Sequence, residues 1–347
     1  MYKHNKEAPW LSIIIPCFNC SKTIEKVLNS IEIQDDNDIE IIISDDWSID
    51  NFMKKVEPYK DKFNIIYHKT KQRKIHCPGN TRLDALQYAS GEWLVFIDDD
   101  DVFEPNAFKN VKELIEKRDE KYLVFTSLGY ADINTDKIHC IFDNDYTLLH
   151  GKFYNRQYII DNNINFKENL YICEDLYFNK YAITTLSVKG IDYTKENIVT
   201  YRQYSNPNSF TRSYNAKNKH QISEVYFSDF VTAATEPLFD ILHKFNFQNA
   251  RIIYDDLAKT IFYMYCCIQS YKYSLGDEYI RKNEIIIKNC IQRICKEFII
   301  TPNDLINYIY SDPVLYDDIK HTAEKSTCKF IELESYIKFI QKIFLLY

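Results

Sequence analysis

GNTRLDALQYASGEWLVFIDDDD, Gly79 to Asp101, carries the pattern from which the rest of the chain is read. Gly79 to Ala89 reads as a helix. Trp93 to Ile97, WLVFI, is an unbroken apolar run of strand length that ends in four carboxylates, Asp98 to Asp101. A strand that is apolar throughout, and not alternating, belongs in a sheet covered on both faces.

The same grammar extends in both directions. Leu11 to Pro16, Ile39 to Ser44, Phe63 to His68 and Tyr122 to Thr126 read as further strands. Between them Ile24, Val27, Leu28 and Ile31 fall at helical spacing behind Ser21, a candidate cap, and Asn106 to Lys117 reads as a helix. Strands alternating with helices require crossover connections, which gives an α/β class with a mostly parallel sheet flanked by helices. Such sheets bind ligands beyond the carboxyl ends of their strands. Asp45, Asp46 and Asp98 to Asp101 stand at those ends.

From about Ser213 the character changes to successive amphipathic helices, with Ile253, Leu257, Ile261, Phe262 and Tyr265 in one. Phe330, Leu333, Ile337, Ile340 and Phe344 recur in the last, FIELESYIKFIQKIFLLY. The chain is therefore divided into residues 1–212, a catalytic domain, and 213–347, an all-helical domain. These helices either pack on themselves or the core, or present a surface to a partner or a membrane.

The net charge of −7 disfavours a protein whose main task is gripping nucleic acid. One basic stretch stands apart, HKTKQRKIH from His68 to His76, read as a solvated loop or as a mobile basic loop near phosphates. The polar start, the 10 irregularly spaced Cys and the lack of a membrane-length apolar run set an expectation of a cytoplasmic protein without a transmembrane segment. Cys17 and Cys20 form a C-x-x-C that redox or metal chemistry could use, but no second such pair accompanies it.

Four adjacent carboxylates at a strand end repel one another unless a cation joins them. In an extended segment residues i and i+2 point the same way, so Asp98 and Asp100 are expected to converge. Two carboxylates with two phosphate oxygens make a hard-oxygen site for Mg²⁺ or Mn²⁺, which would act as a Lewis acid on a diphosphate.

These motifs together resemble the family-2 glycosyltransferases of the GT-A fold. SIIIPCFN (Ser12–Asn19) is similar to the family's S-I-I-I-P-x-Y-N, with Phe18 for Tyr, and SDDWSIDN (Ser44–Asn51) to V-D-D-G-S-x-D, with Trp47 for Gly. The Gly79–Asp101 stretch resembles G-x-A-R-N-x-G-L-x-x-A-x-G-E-Y-x-x-F-L-D-x-D-D, with Leu83 and Ala85 where Asn and Gly are usual. HGKFYNRQYIIDNNINF, CEDLYFN and YRQYSNPNSFTR resemble the acceptor-side, E-D and late Y-Y-R-x-x-x-x-S segments, in the family's order, from 11 to 212.

The resemblance implies a nucleotide-diphosphate donor, UDP-linked by preference, and inversion at the anomeric carbon. It assigns base and ribose contacts to Asp46, Asp45, Pro16, Phe18 and Asn19, diphosphate contact to Arg82, and the D-x-D to Asp98 and Asp100, flanking Asp99. Asp175 of the E-D pair is implied as general base, with Glu174 the other candidate. Arg202 and Ser209, with Thr211 and Arg212, lie in a segment able to close on phosphates, and His150 and Lys152 on the acceptor side. The acceptor stays open among polysaccharide, lipid-linked glycan, protein and modified viral DNA. Competing readings are an inactive binding or scaffolding module and a nucleotidyltransferase, for which the E-D element has no use.

Overall fold

The structure is a computed structural model that describes residues 8–143, 147–204, 219–245, 250–315, 317 and 333–345. The described residues form two compact units. One runs to Tyr204 and is built on a sheet; the other holds the helices from Lys219 onward together with Ser187–Lys189. The changeover expected near residue 213 lies outside the described residues.

Strands β1 (Leu11–Cys17), β2 (Ile39–Asp45), β3 (Asn64–Lys69) and β4 (Trp93–Phe96) lie parallel in the order β3-β2-β1-β4. The sheet continues through β8 (Lys152–Asn155), β6 (Leu123–Ala131), β9 (Thr194–Tyr204) and β5 (Val102–Phe103), with β7 (Ile138–Phe142) beside β6. Here β8 is antiparallel to both β4 and β6, and β5 to β9, while β6 and β9 are parallel. The sheet is therefore mixed. Four of the five runs read as strands in the sequence form its parallel half, and the fifth, Tyr122 to Thr126, opens β6 in the mixed half.

Alternation along β1 and β2 explains why those runs are continuous. Ile13, Ile15, Ile41 and Ile43 enter one core with helices α1 (Ile24–Glu32), α2 (Met53–Val56) and α4 (Ala107–Arg118). Ile14 and Ile42 enter the other, with α3 (Pro78–Leu86), α5 (Arg156–Asp161) and α6 (Glu174–Val188). Period-two side chains with both faces covered favour apolar residues at successive positions, and the buried Ser12, Glu40 and Ser44 are the polar interruptions. Ser21 does not cap α1: Thr23 holds that position without a side-chain cap bond, and the Ser21 N–H donates to Asp50 Oδ2 at 2.7 Å.

One buried polar cluster ties the sheet together away from the site. Glu40, in the middle of the apolar β2, accepts from Ser12 Oγ (2.6 Å), Ser90 N (2.6 Å), Ser90 Oγ (2.8 Å) and Gly91 N (3.2 Å). It pins the turn that launches β4 to the first residues of β1 and β2.

The helical unit holds α7 (Lys219–Phe245), α8 (Ala250–Phe298), α9 (Pro302–Ser311) and α10 (Leu333–Leu345); Phe330 of the expected last stripe lies outside the described residues. Ile253, Leu257, Ile261, Phe262 and Tyr265 of α8 and Ile337 and Ile340 of α10 are all buried. Tyr336 of α10 packs edge-on against Phe262 and donates to the Ala258 carbonyl at 2.6 Å. A capping box between Thr301 and Asp304 starts α9. No described helix is long and apolar enough to cross a membrane.

Replacing Glu40 with Ala leaves the Ser12 hydroxyl and the Ser90 N–H and hydroxyl without their acceptor, while Gly91 N keeps Ser12 Oγ at 2.8 Å. The expected loss is about 3 kcal/mol in the unfolding free energy of the sheet unit, read from urea denaturation. A change below about 1 kcal/mol would show that the cluster does not hold the sheet.

Candidate active site

The site is organised by a buried cation. Arg82, on α3 and 2% exposed, donates from one terminal nitrogen to Glu174 Oε1 at 2.8 Å and Asp175 Oδ1 at 3.1 Å. Its other terminal nitrogen donates to Asp98 Oδ1 at 2.6 Å. The strand-end acidic run and the E-D element, more than seventy residues apart in sequence, thus meet on one guanidinium. Close approach of α3 and α6 makes this reach possible: a Cβ on Gly79 would fall 2.8 Å from Glu174 Cβ. Glu174 and Asp175 occupy the first turn of α6, where the helix dipole favours negative charge.

The acidic run is not extended. Asp101 N donates to the Asp98 carbonyl at 3.3 Å, closing a turn, so the i and i+2 convergence expected of Asp98 and Asp100 does not follow from strand geometry. The turn instead sends its carboxylates to different neighbours. Asp98 goes to Arg82 and, at 3.2 Å, to His150 Nε2; Asp99 accepts from Phe18 N at 3.1 Å. Asp101 is buried and accepts from Tyr201 Oη at 2.8 Å and Tyr204 N at 3.0 Å. Tyr201 also accepts from Asp98 N at 3.2 Å and lies against the His150 ring, with centroids 4.6 Å apart.

Asp98, Asp101 and His150 each present a ligand atom within 4.8 Å of the others. His150 is 4% exposed, and its Nδ1 has no hydrogen-bond partner. Two oxygens and an imidazole nitrogen suit Mn²⁺ or Mg²⁺, so the residues present fit the cation that the motifs imply. Asp101, the last Asp of the D-x-D-D, and Tyr201, the Tyr before Arg202, both stand within the quoted motifs, but neither has a role assigned from the sequence.

The electrostatics divide the carboxylates. Burial would raise Asp98, but Arg82 and His150 outweigh it and hold the group well below the ordinary carboxylate range. Burial pushes Glu174 up to about 8, with Asp175 adding to the rise and Arg82 opposing it. Burial and Asp100 push Asp101 well up. Burial would lower His150, yet Asp98, Asp175 and Asp101 hold it above the usual imidazole value.

The carboxyl ends of β1 and β2 form the second half of the site. Pro16 lies within β1, and Phe18 beyond it is 58% exposed. Asn19, with φ of 54°, clasps the opposite loop, donating from N to Ser48 Oγ and accepting from Ile49 N, both at 2.9 Å. Asp45 is occupied within the protein, accepting from Ser48 N and Tyr67 Oη at 2.8 Å each. Asp46 accepts from Thr70 Oγ1 at 3.0 Å, and the same oxygen lies 3.0 Å from His76 Nδ1. Trp47 takes the left-handed φ of 65° where Gly would be at ease, and its indole N–H donates to the Thr70 carbonyl at 3.1 Å. Trp47, Gln72, Arg73, Lys74 and His76 line a cavity of about 420 Å³, so the basic stretch does border this edge.

Arg202 is not brought to this group. Its guanidinium grips both oxygens of Glu104 and reaches Asp136 Oδ2 at 2.6 Å. Lys152 is buried, donates to the His150 carbonyl at 3.1 Å and lies over the Phe125 ring, supporting His150 from below. Ser209, Thr211 and Arg212 lie outside the described residues.

Residues 12–175 match the model of the family described as Glycosyl transferase family 2. That segment is a family-2 glycosyltransferase domain. Among curated proteins it is similar to the poly(ribitol-phosphate) beta-N-acetylglucosaminyltransferase TarS of Staphylococcus aureus, 29% identical over 204 residues, covering 52% of this chain and 35% of TarS. It is also 36% identical over 114 residues to a GalNAc(5)-diNAcBac-PP-undecaprenol beta-1,3-glucosyltransferase of Campylobacter jejuni, covering 33% of this chain and 36% of that one. The chain thus spans about a third of the length of these relatives. Among solved structures, S. aureus TarS 1–349 in complex with UDP matches with a TM-score of 0.63 at 19% identity, covering 91% of both chains. Its complex with UDP-GlcNAc matches with a TM-score of 0.62. The chain therefore has the expected GT-A sheet followed by a helical region.

Glu174 binds a proton more tightly folded than unfolded, since its value rises from 4.5 to about 8. Its contribution to stability is full below pH 4.5 and is lost as pH rises through about 8. Glu174→Gln, which mimics the protonated acid, should flatten the fall in Tm between pH 5 and about 8. An unchanged pH slope in that window would remove Glu174 from this role.

Proposed function

We propose that this protein transfers a sugar from a nucleotide diphosphate, preferentially a UDP-sugar, to an acceptor hydroxyl with inversion at the anomeric carbon. The observation that supports this most directly is the Arg82 junction. It sets the donor-side Asp98 and the E-D carboxylates on one buried cation. A binding module has no need to tie those two elements together, and a nucleotidyltransferase has no use for the second.

In this reading Asp46 accepts an N–H of the donor base while Phe18 and Pro16 border the base and ribose. Thr70 and His76 aim the Asp46 carboxylate, and Asn19 holds the Phe18 loop against the Ser48 loop. Asp45 acts through the turn that presents Asp46. The divalent cation would be held by Asp98 in either ligand set, with Asp100 added by the family pattern and Asp101 and His150 by geometry. When bound, it neutralises charge on the diphosphate leaving group. TarS, solved with UDP and with UDP-GlcNAc, motivates the choice of donor. A phosphate-rich glycan or lipid-linked acceptor is proposed on the names of the relatives.

The general base is Asp175. Burial and the neighbouring Asp175 favour the protonated form of Glu174, which makes it the poorer proton acceptor of the pair. Asp175 is held by Arg82 and by Leu149 N at 3.3 Å, which fixes its second oxygen beside His150 in the chain. It takes the acceptor proton as that oxygen attacks, in a single displacement, so no glycosyl-enzyme bond forms and the configuration inverts.

Two measurements test the reading. Donor turnover should vanish in EDTA and return with Mn²⁺ or Mg²⁺; full activity in EDTA overturns the metal role. Asp175→Asn should lower kcat by about 10²–10⁴-fold while UDP affinity, read by calorimetry, stays nearly constant. A parental kcat in Asp175→Asn with collapse in Glu174→Gln would move the base to Glu174.

A further inference from the structure

The acidic turn serves a second cluster that the glycosyl-transfer reading does not use. Cys17, Cys20 and Asp99 each present a ligand atom within 4.8 Å of the others. Both cysteines are free and buried, at 1% and 3% exposure.

Buried thiols alone are ordinary small hydrophobes. Here a carboxyl group stands beside them, and each of the three groups is fixed by its own backbone anchor. Cys17 ends β1, and its carbonyl accepts from Asp46 N at 2.8 Å. Left-handed Asn19 folds the chain back, so that Cys20 faces Cys17 while its carbonyl accepts from Thr23 N and Ile24 N at the start of α1. Asp99 is held by Phe18 N, inside the same C-x-x-C. The ligand atoms therefore converge without any rearrangement of the chain, which is what preorganised metal sites require.

The donor set decides the occupant. Two sulfurs and one oxygen form a softer site than the neighbouring oxygen and imidazole group, and thiolates select Zn²⁺ over Mg²⁺ or Mn²⁺. We propose that Cys17, Cys20 and Asp99 bind a thiophilic divalent cation, Zn²⁺ in kind, distinct from the cation of the donor site. Binding exchanges the two thiol protons, released to solvent, for two metal–sulfur bonds. The bound ion ties the loop bearing Phe18 and Asn19 to the acidic turn and so stiffens the wall of the donor pocket.

The test uses Co²⁺ as a spectroscopic stand-in for Zn²⁺ on the full chain, reduced with a phosphine and monitored in the near ultraviolet. One equivalent of Co²⁺ should produce a thiolate-to-cobalt charge-transfer band that Zn²⁺ then abolishes by displacement. Cys17→Ser and Cys20→Ser should each lose the band with an unchanged circular dichroism spectrum. Asp99→Asn keeps both thiols, so it should retain the band but weaken Co²⁺ binding by about tenfold or more. Asp98→Asn should leave the band intact, which separates this site from the oxygen and imidazole group. No charge-transfer band, or one that survives in Cys17→Ser/Cys20→Ser, overturns the proposal. So does a band abolished by Asp98→Asn alone.

Discussion

The Arg82 guanidinium is the interaction on which the rest of the site depends. A lone buried cation is prohibitively expensive, and removing one partner of a buried ion pair typically costs about 3–5 kcal/mol. Arg82 avoids that cost by bonding to Asp98, 16 residues away, and to Glu174 and Asp175, 92 and 93 residues away. The same constraint works in reverse, because three carboxyl groups brought together from the end of β4 and the first turn of α6 need a central positive charge. The parallel half of the sheet brings the end of β4 beside β1, while the close Gly79–Glu174 contact brings α6 within reach. Packing of apolar faces far from the site thereby sets the distances at which its charges meet.

Around this junction one tight turn distributes four carboxylates among separate neighbours. Asp98 is drawn down by Arg82 and His150, whereas Asp99 and Asp101 are pushed up by burial and by the adjacent Asp100. Pushing neighbouring groups apart in this way is how a compact cluster of like acids is tolerated at neutral pH, because not all of them are charged at once. A cation entering the cluster would change that balance, which is the physical basis for expecting metal dependence. The acids also differ in softness of company, with imidazole beside Asp98 and thiols beside Asp99.

Local backbone strain marks the same places. Left-handed, non-glycine residues stand directly beside the elements of the site: Asn19 next to Phe18, Trp47 next to Asp46, and Cys173 just before Glu174. Each is a conformation that an isolated chain disfavours. Hydrogen bonds on both sides hold the first two, Asn19 through Ser48 and Ile49, Trp47 through Thr70. Strain kept at loop tips and over-determined by their partners gives rigid presentation of Asp46 and the E-D pair.

Periodicity and motif were enough to determine the α/β class, the buried strands of the parallel half, the helical remainder, and Arg82, Asp46, Asp98 and Asp175 as residues of interest. Those features are local: an unbroken Ile run or a strand-end Asp run is visible within a few residues. What only the tertiary structure decided depends on distant partners. The acidic run is a turn because Asp101 N finds the Asp98 carbonyl, so the expected alternation of its side chains does not hold. Arg202 is committed to Glu104 and Asp136, and Asp45 to Ser48 and Tyr67. Asp101, His150 and Tyr201 meet because β5, which follows Asp101, pairs with β9, β9 lies beside β6 with shifts in register, and the antiparallel β8 follows His150 into the sheet. Strand register and helix docking are set by the summed burial of apolar faces, and no short stretch of sequence encodes that sum.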